Sequence, residues 1–132
     1  MSDMWKDFLI VSIGSFFGGG ARFLVSRFIQ AVTVVTFPFG TFLVNILGCL
    51  LIGFFSGFPA TGTVAHEWMS PSAKLLLTMG FCGGFTTFST FMNESLMLVK
   101  DGHVVSLALY LSGSLVLGFL AVLAGYALAK LL

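Results

Sequence analysis

The sequence predicts an all-α integral membrane protein with four transmembrane helices. Its composition, its long apolar runs and its length support this prediction. Of the 132 residues, 58% are hydrophobic and 8% are charged, whereas ordinary globular chains carry about 25% charged residues. A spanning helix needs roughly 20 apolar residues, so the chain can hold four spans in a single transmembrane domain. The net charge of +1 argues against a nucleic-acid partner, which would require a basic stripe.

The four predicted spans cover approximately residues 8–35, 38–58, 72–99 and 104–129 of a domain comprising residues 1–132. Lys6 precedes the first apolar run, as in a signal peptide, but no Ala-x-Ala cleavage site accompanies it. We therefore interpret this run as a retained first span. The predicted loop from Pro59 to Pro71 holds Trp68, which is typical of an anchor at the membrane interface.

The third span contains an unusual stretch, Gly80 to Phe91, with three glycines and four hydroxyl residues in twelve positions. Glycine lowers helix propensity, and hydroxyl side chains compete for backbone hydrogen bonds. We therefore expect this helix to break near its middle. Phe88 and Phe91 lie three residues apart and should share a face of the helix that resumes after the break. Their spacing alone is more typical of a packed aromatic pair than of a binding site.

Two polar residues in the other spans admit two readings each. Arg22 of the first span is either a topology anchor within reach of the interface or a positive charge at the mouth of an anion pathway. Asn45 of the second span needs a hydrogen-bond partner, which is either another helix or a permeating species. Glu94, near the end of the third span, is an interface residue or a vestibule residue.

The fourth span carries a polar-to-small stripe at a spacing of four residues, namely Ser106, Tyr110, Ser114 and Gly118. This stripe is consistent with helix packing or with one wall of a polar track. The two cysteines, one each in the second and third spans, are interpreted as small packing residues. They support neither a disulfide framework nor a zinc site.

The basic residues are balanced across the predicted membrane. Three lie on the side of the termini and three toward the other side, so the Lys/Arg bias that normally fixes orientation is missing. The chain is therefore expected to insert in both orientations and to form an antiparallel, dual-topology homodimer related by an axis in the membrane plane. The basic residues on the first side are Lys6, Lys74 and Lys130, and those on the other are Arg22, Arg27 and Lys100.

Three motifs occur in order, namely Gly18 to Phe23, Gly40 to Gly48 and Gly80 to Phe91. Together with the length and the number of spans, they closely resemble the Fluc (CrcB) family of fluoride channels over essentially the whole chain. The resemblance implies a dual-topology homodimer in the inner or plasma membrane, surrounded by lipid, that exports fluoride passively through two antiparallel pores. It further implies a central sodium ion held by the backbone carbonyls of Gly83 and Thr86 from both subunits. The pore residues that it implies are Phe88, Phe91, Asn45, Tyr110 and Ser114, to which we add Thr87 and Arg22.

One alternative is a small multidrug-type, proton-coupled transporter, which also has four spans and dual topology. Such a protein needs a carboxylate embedded in the membrane, but the first span has none and Glu94 lies near the end of its span. A non-transporting assembly subunit would explain the faces of small residues but not the glycine-threonine break. An enzyme is not expected, because no nucleophile-base pair, metal cluster or phosphate loop occurs at a useful spacing.

Overall fold

The structure, a computed structural model, describes residues 2–33, 35–58 and 70–132 of the chain. Throughout these ranges every regular element is helical, and no strand is present. Four helical stretches are long and apolar enough to cross a membrane, namely Asp3–Val32, Phe39–Ser56, Pro71–Lys100 and Val104–Leu131. This agrees with the predicted all-α, four-span class. The predicted interfacial anchor Trp68 lies outside the described residues.

Three spans are single helices, and the third is composed of several helical segments. The first span is α1, Ser2–Val32; the second is α2, Phe39–Ser56; and the fourth is α6, Val104–Leu131. The third span, Pro71–Lys100, is composed of α3, Pro71–Leu75; a π-helical segment, Leu76–Cys82; α4, Gly83–Phe85; and α5, Phe88–Lys100. Thr86 and Thr87, between α4 and α5, are extended rather than helical. The third span is therefore interrupted within the predicted glycine-threonine stretch.

Glycines bring α1 into close contact with the first half of the third span. A Cβ atom added at Gly14 would lie 2.7 Å from the Leu76 carbonyl oxygen, and one at Gly84 would lie 2.7 Å from the Ser15 carbonyl oxygen. At Gly18, a Cβ atom would overlap the backbone of the π-helical segment. The small-xxx-small spacing on α1 therefore serves to hold the backbone of the third span at close range.

A second glycine contact joins α2 to α6. Cβ atoms added at Gly53 or Gly125 would overlap the carbonyl oxygens of Val122 and Leu50, respectively. The two helices are thus held at a distance that no larger side chain allows at these positions. This contact places α2 directly against the fourth span.

The second and third spans run in opposite directions. Lys74, at the start of the third span, donates from Nζ to the carbonyl oxygen of Phe58 beyond the end of α2, at 2.8 Å. Further along, a Cβ atom added at Gly48 of α2 would overlap Thr86 at the break. This antiparallel arrangement fixes which residues of α2 face the break.

The single chain buries few of its large apolar side chains. One buried cluster contains Phe91, Leu98 and Tyr110, and a second contains Phe58 and Ala129. By contrast, most large apolar residues of α1 and α6 are exposed. Such a distribution is typical of helices whose outer faces meet lipid or other membrane-embedded protein, because neither requires a polar surface.

Candidate functional site at the break in the third span

The break in the third span has a well-defined hydrogen-bonding pattern. The last bond of the first half runs from Thr86 N to the Cys82 carbonyl at 3.0 Å, and the Thr86 hydroxyl donates to the same oxygen at 2.9 Å. Thr87 then adopts φ −149° and ψ 120°, and its hydroxyl oxygen accepts from Thr90 N at 3.3 Å as the N-cap of α5. Threonine is suitable on both sides of the break, since its hydroxyl pairs with backbone groups that a broken helix leaves without a partner.

Asn45 of α2 pairs with the extended backbone at the break. Its Oδ1 accepts from Thr87 N at 2.8 Å, and its Nδ2 donates to the Thr87 carbonyl at 3.0 Å. A single side chain thus satisfies both backbone groups of Thr87, which would be costly to leave unpaired at membrane depth. The amide nitrogen carries a second N–H, for which no acceptor is found among the described residues. Asn45 therefore joins two spans and has one N–H group that is not used in this contact.

The break in the helix removes the helical donors of several backbone carbonyls. In a continuous helix Thr87 N would donate to Gly83 and Thr90 N would donate to Thr86, each four residues back. Here both donors are taken by side-chain oxygens, Asn45 Oδ1 and Thr87 Oγ1. The carbonyls of Gly83 and Thr86, which the resemblance assigns to a sodium ion, are therefore among those that lose their helical donors at the break. Free carbonyl oxygens of an interrupted span are suitable ligands for a hard cation, so these residues fit such an ion.

A cavity of about 250 Å³ lies beside the break, between the second, third and fourth spans. It brings together five of the seven predicted pore residues: Asn45, Thr87, Phe88, Phe91 and Ser114. Most of its remaining wall is apolar or weakly polar. The other residues that line it are Gly48, Cys49, Ile52, Cys82, Thr86 and Leu115.

The two phenylalanines of the motif occupy different environments on one face of α5. Phe88 is 72% exposed in the single chain, whereas Phe91 is 5% exposed. Their ring centroids are 6.1 Å apart with an edge-to-face interplanar angle of 67°. Phe91 also meets the Tyr110 ring edge to face, with centroids 4.9 Å apart. Phe88 is therefore presented at the open side of the cavity, and Phe91 is presented at its buried end.

The predicted hydroxyl track of the fourth span is divided. Ser114 lines the cavity, and its Oγ is buried without a hydrogen-bond partner among the described residues. Tyr110, by contrast, is fully buried behind the Phe91 ring, and its hydroxyl donates to Glu94 Oε1 at 3.2 Å. Ser114 is thus part of the cavity wall and has a hydroxyl that is unpaired in the described structure, whereas Tyr110 lies behind Phe91 and does not line the cavity.

A second, more polar cavity of about 230 Å³ lies near the end of the third span. It includes Glu94, whose carboxylate accepts a hydrogen bond from the Tyr110 hydroxyl. Sequence reasoning did not single out the other polar groups here, because they come from separate loops and helix ends. They are Gln30, Thr36, Asp101 and His103.

Arg22 lies apart from both cavities. Its Nε donates to the Gly84 carbonyl oxygen at 3.1 Å, across the contact between α1 and the first half of the third span. A guanidinium at this place satisfies a carbonyl in the last turn before the break, where a positive charge is favourable. This contact was missed by sequence reasoning, which gave Arg22 either a topological or a pore role, because spacing does not reveal a partner 62 residues away.

Comparison with known proteins assigns the chain to a family. The family described as "CrcB-like protein, Camphor Resistance (CrcB)" matches residues 9–126. The chain belongs to the CrcB family. Its four candidate spans make it a multi-pass membrane protein, in keeping with the cavities that lie between those spans.

Many curated members of the CrcB family are similar to this chain over almost their full length. A protein of Chlorobaculum tepidum is 47% identical and one of Chlorobium phaeobacteroides (strain BS1) is 45% identical, covering 96% and 99% of this chain and 96% and 98% of the relatives. A protein of Phocaeicola vulgatus is 45% identical over 91% of this chain and 95% of its own length. All three are named "Fluoride-specific ion channel FluC", which describes a channel and not an enzyme.

Proposed function

We propose that this chain is a fluoride-specific ion channel that exports fluoride passively across the cell's inner or plasma membrane. The observation that carries the proposal is the cavity at the break, where Asn45, Thr87, Phe88, Phe91 and Ser114 meet. The near-full-length similarity to relatives named as fluoride channels supports it. Export by this route would confer resistance to fluoride.

Aromatic edges give the cavity a way to accept a small anion without a fixed positive charge. A phenyl ring has a negative face and a positive edge, so an edge directed at fluoride replaces part of its lost hydration. Phe88 and Phe91 lie edge to face, and they mark the open side and the buried end of the cavity. Two weak, successive contacts suit conduction, since an ion must enter readily and also leave.

Hydrogen-bond donors in the same cavity supply the remaining solvation. Ser114 Oγ is buried and unpaired in the described structure, and buried hydroxyls normally have a partner. The second N–H of Asn45 is also unassigned. Both groups donate to an anion at little cost, because neither has to give up an existing bond.

The pathway is completed by a second copy in an antiparallel homodimer. The cavity is open on one side, and Phe88 is 72% exposed at that side in the single chain. The equal distribution of basic residues, three toward each side, allows both orientations. An inverted pair carries one cavity per chain and hence two antiparallel pores.

A sodium ion at the dimer interface would be held by the carbonyls of Gly83 and Thr86 from both chains. Their helical donors are diverted to Asn45 and to the Thr87 hydroxyl, and Gly83 is exposed on the chain's surface. No three Cys, His or acidic side chains converge as metal ligands in the described part of the chain. The ion would supply a fixed positive charge next to both pores.

The central experiment measures fluoride efflux from liposomes that contain the purified protein. A parallel sample of each preparation is loaded with chloride instead of fluoride, and no pH gradient is imposed. Fluoride efflux without chloride efflux is expected. A requirement for a proton gradient would instead favour the proton-coupled transporter, and an absence of fluoride efflux would contradict the proposal.

Orientation and ion binding need separate measurements. Accessibility tagging of sealed vesicles should label the termini of some chains from the outside and the termini of the other chains from the inside. A single orientation would rule out the antiparallel dimer. Sodium is tested by bound-ion analysis of protein purified with sodium or with a large organic cation, and equal sodium contents in protein and buffer would exclude the bound ion.

A further inference from the structure

We propose that Cys49 and Cys82 form a soft-metal site inside the cavity, and that a thiophilic cation bound there closes the fluoride pathway. Both residues border the cavity that also contains the Asn45–Thr87 pair. They are the only two cysteines of the chain, and neither forms a disulfide. The capture of metal depends on geometry alone, while its effect on flux rests on the proposed function.

The register of the second and third spans places the two thiols on the same side of the Asn45–Thr87 pair. Asn45 is hydrogen-bonded to Thr87, and the two spans are antiparallel. Cys49 follows Asn45 by four residues, whereas Cys82 precedes Thr87 by five. Both offsets run in the same direction. The Cys49 offset is about 6 Å along its helix, and the Cys82 offset is about 11 Å, because Thr86 and Thr87 are extended and rise about 3.3 Å each. The two cysteines therefore lie on the same side of the Asn45–Thr87 pair, on facing elements that line one cavity.

The surroundings of the thiols distinguish this arrangement from ordinary packing. Cys49 is partly exposed, and its sulfur lies 3.4 Å from the position of a Cβ atom added at Gly118 of α6. The nearby Ser114 Oγ is buried and lacks a partner among the described residues. Two thiols and an unpaired hydroxyl thus border one cavity that is open to the outside on one side. A purely structural role would not require both thiols to border that cavity.

Thiolates select soft cations and discriminate against hard ones such as Mg²⁺. With Hg²⁺ as the probe, two S–H bonds break, two Hg–S bonds form and two protons leave for the solvent. No electron is transferred. Burial does not prevent the reaction, because coordination to a metal deprotonates a thiol. The bound ion then occupies part of the cavity that Phe88 and Phe91 also line.

The first test counts mercury per chain by native mass spectrometry after brief treatment with HgCl₂ and removal of the excess. One mercury per chain is expected for the unaltered protein, and none for the double variant Cys49→Ser/Cys82→Ser. Two ions per chain, or none, would overturn the shared site. This readout does not require flux, so it stands even if the protein fails to conduct fluoride.

The second test measures fluoride efflux from liposomes with and without HgCl₂, each variant being normalised to its own untreated flux. The unaltered protein should lose most of its flux, MgCl₂ should have no effect, and excess dithiothreitol should restore the flux. Each single variant should be less sensitive and the double variant insensitive. Full sensitivity in the double variant, or in either single variant, would overturn the proposal. Cys82→Ala replaces the serine variant if that variant does not assemble.

A matched control separates the position of the thiol from its presence. Ser112 is exposed on α6, outside the cavity, and its hydroxyl donates to the Ala108 carbonyl of its own helix. Adding Ser112→Cys to the double variant should restore mercury binding but not inhibition. If this variant were inhibited as strongly as the unaltered protein, a specific site in the cavity would be refuted.

Discussion

Replacing Asn45 by leucine tests the hydrogen bonds that hold the break open. Leucine has a similar size but can neither donate nor accept a hydrogen bond. The substitution removes the bonds of 2.8 Å and 3.0 Å to Thr87 and leaves two backbone groups unpaired beside the cavity. Thr87 N can then recover a partner only by returning to the Gly83 carbonyl, which would make the third span continuous.

The expected magnitude follows from the number of groups left unpaired. Each buried backbone group without a partner costs about 1–3 kcal/mol, so that two groups cost roughly 2–6 kcal/mol. The lower value already corresponds to about a thirtyfold change in the ratio of broken to repaired conformations. If only the broken conformation conducts, fluoride flux should fall by up to the factor by which this ratio changes.

The assay is fluoride efflux from liposomes at equal amounts of reconstituted protein, with thermal denaturation in detergent as the second readout. Ile52→Leu is the matched control, because Ile52 lines the same cavity but the change conserves volume and removes no hydrogen bond. If Asn45→Leu had a flux and a stability close to those of Ile52→Leu, the reasoning would be refuted. Loss of flux with unchanged stability would assign Asn45 to ion binding alone.

Phe88→Ile and Phe91→Ile should each reduce fluoride efflux sharply while cross-linking still detects the dimer; unchanged efflux in both would exclude the rings from the pathway. Gly125→Val should abolish the folded peak in size-exclusion chromatography, because the side chain would overlap α2. Gly20→Ala, where a Cβ atom meets nothing within 4 Å, should leave that peak intact. Arg22→Lys and Arg22→Ala should both lower stability in thermal denaturation by about 1.5–3 kcal/mol, the usual worth of a charged hydrogen bond. Full stability with loss of flux in Arg22→Ala alone would instead support a role in attracting anions.

The four-span architecture could be predicted from the sequence because it depends on composition and local pattern. Apolar runs of sufficient length and a deficit of charge indicate membrane helices without any knowledge of contacts. The interruption of the third span was also predictable, since glycines and hydroxyl residues weaken a helix wherever they cluster. Both inferences need only neighbouring residues of one segment.

Partners across the fold could not be predicted in the same way. Arg22 and Gly84 are 62 residues apart, and no periodicity relates the guanidinium to that carbonyl. The same limitation applies to Tyr110, whose side chain shares a helical face with Ser114 but is separated from the cavity by Phe91. Spacing defines which residues share a face, whereas packing determines which of them reach the cavity.

Asn45 illustrates how a sequence can present alternatives that the structure makes compatible. The amide was read either as a link between helices or as part of an ion pathway. Its oxygen and one N–H make the link with Thr87, and the residue also lines the cavity. An NH₂ group with two donors can serve both purposes at once. The alternatives therefore concern different atoms of one side chain.

This division of labour has a consequence for conduction. An anion that accepts a hydrogen bond from the second N–H of Asn45 does not compete for the bonds to Thr87. The break therefore remains in place while the ion passes. The Ser114 hydroxyl has no bond to surrender among the described residues. Neither donor then requires backbone rearrangement to receive an ion. Flux through this pathway should accordingly be governed by desolvation at the two phenyl rings rather than by opening of the third span.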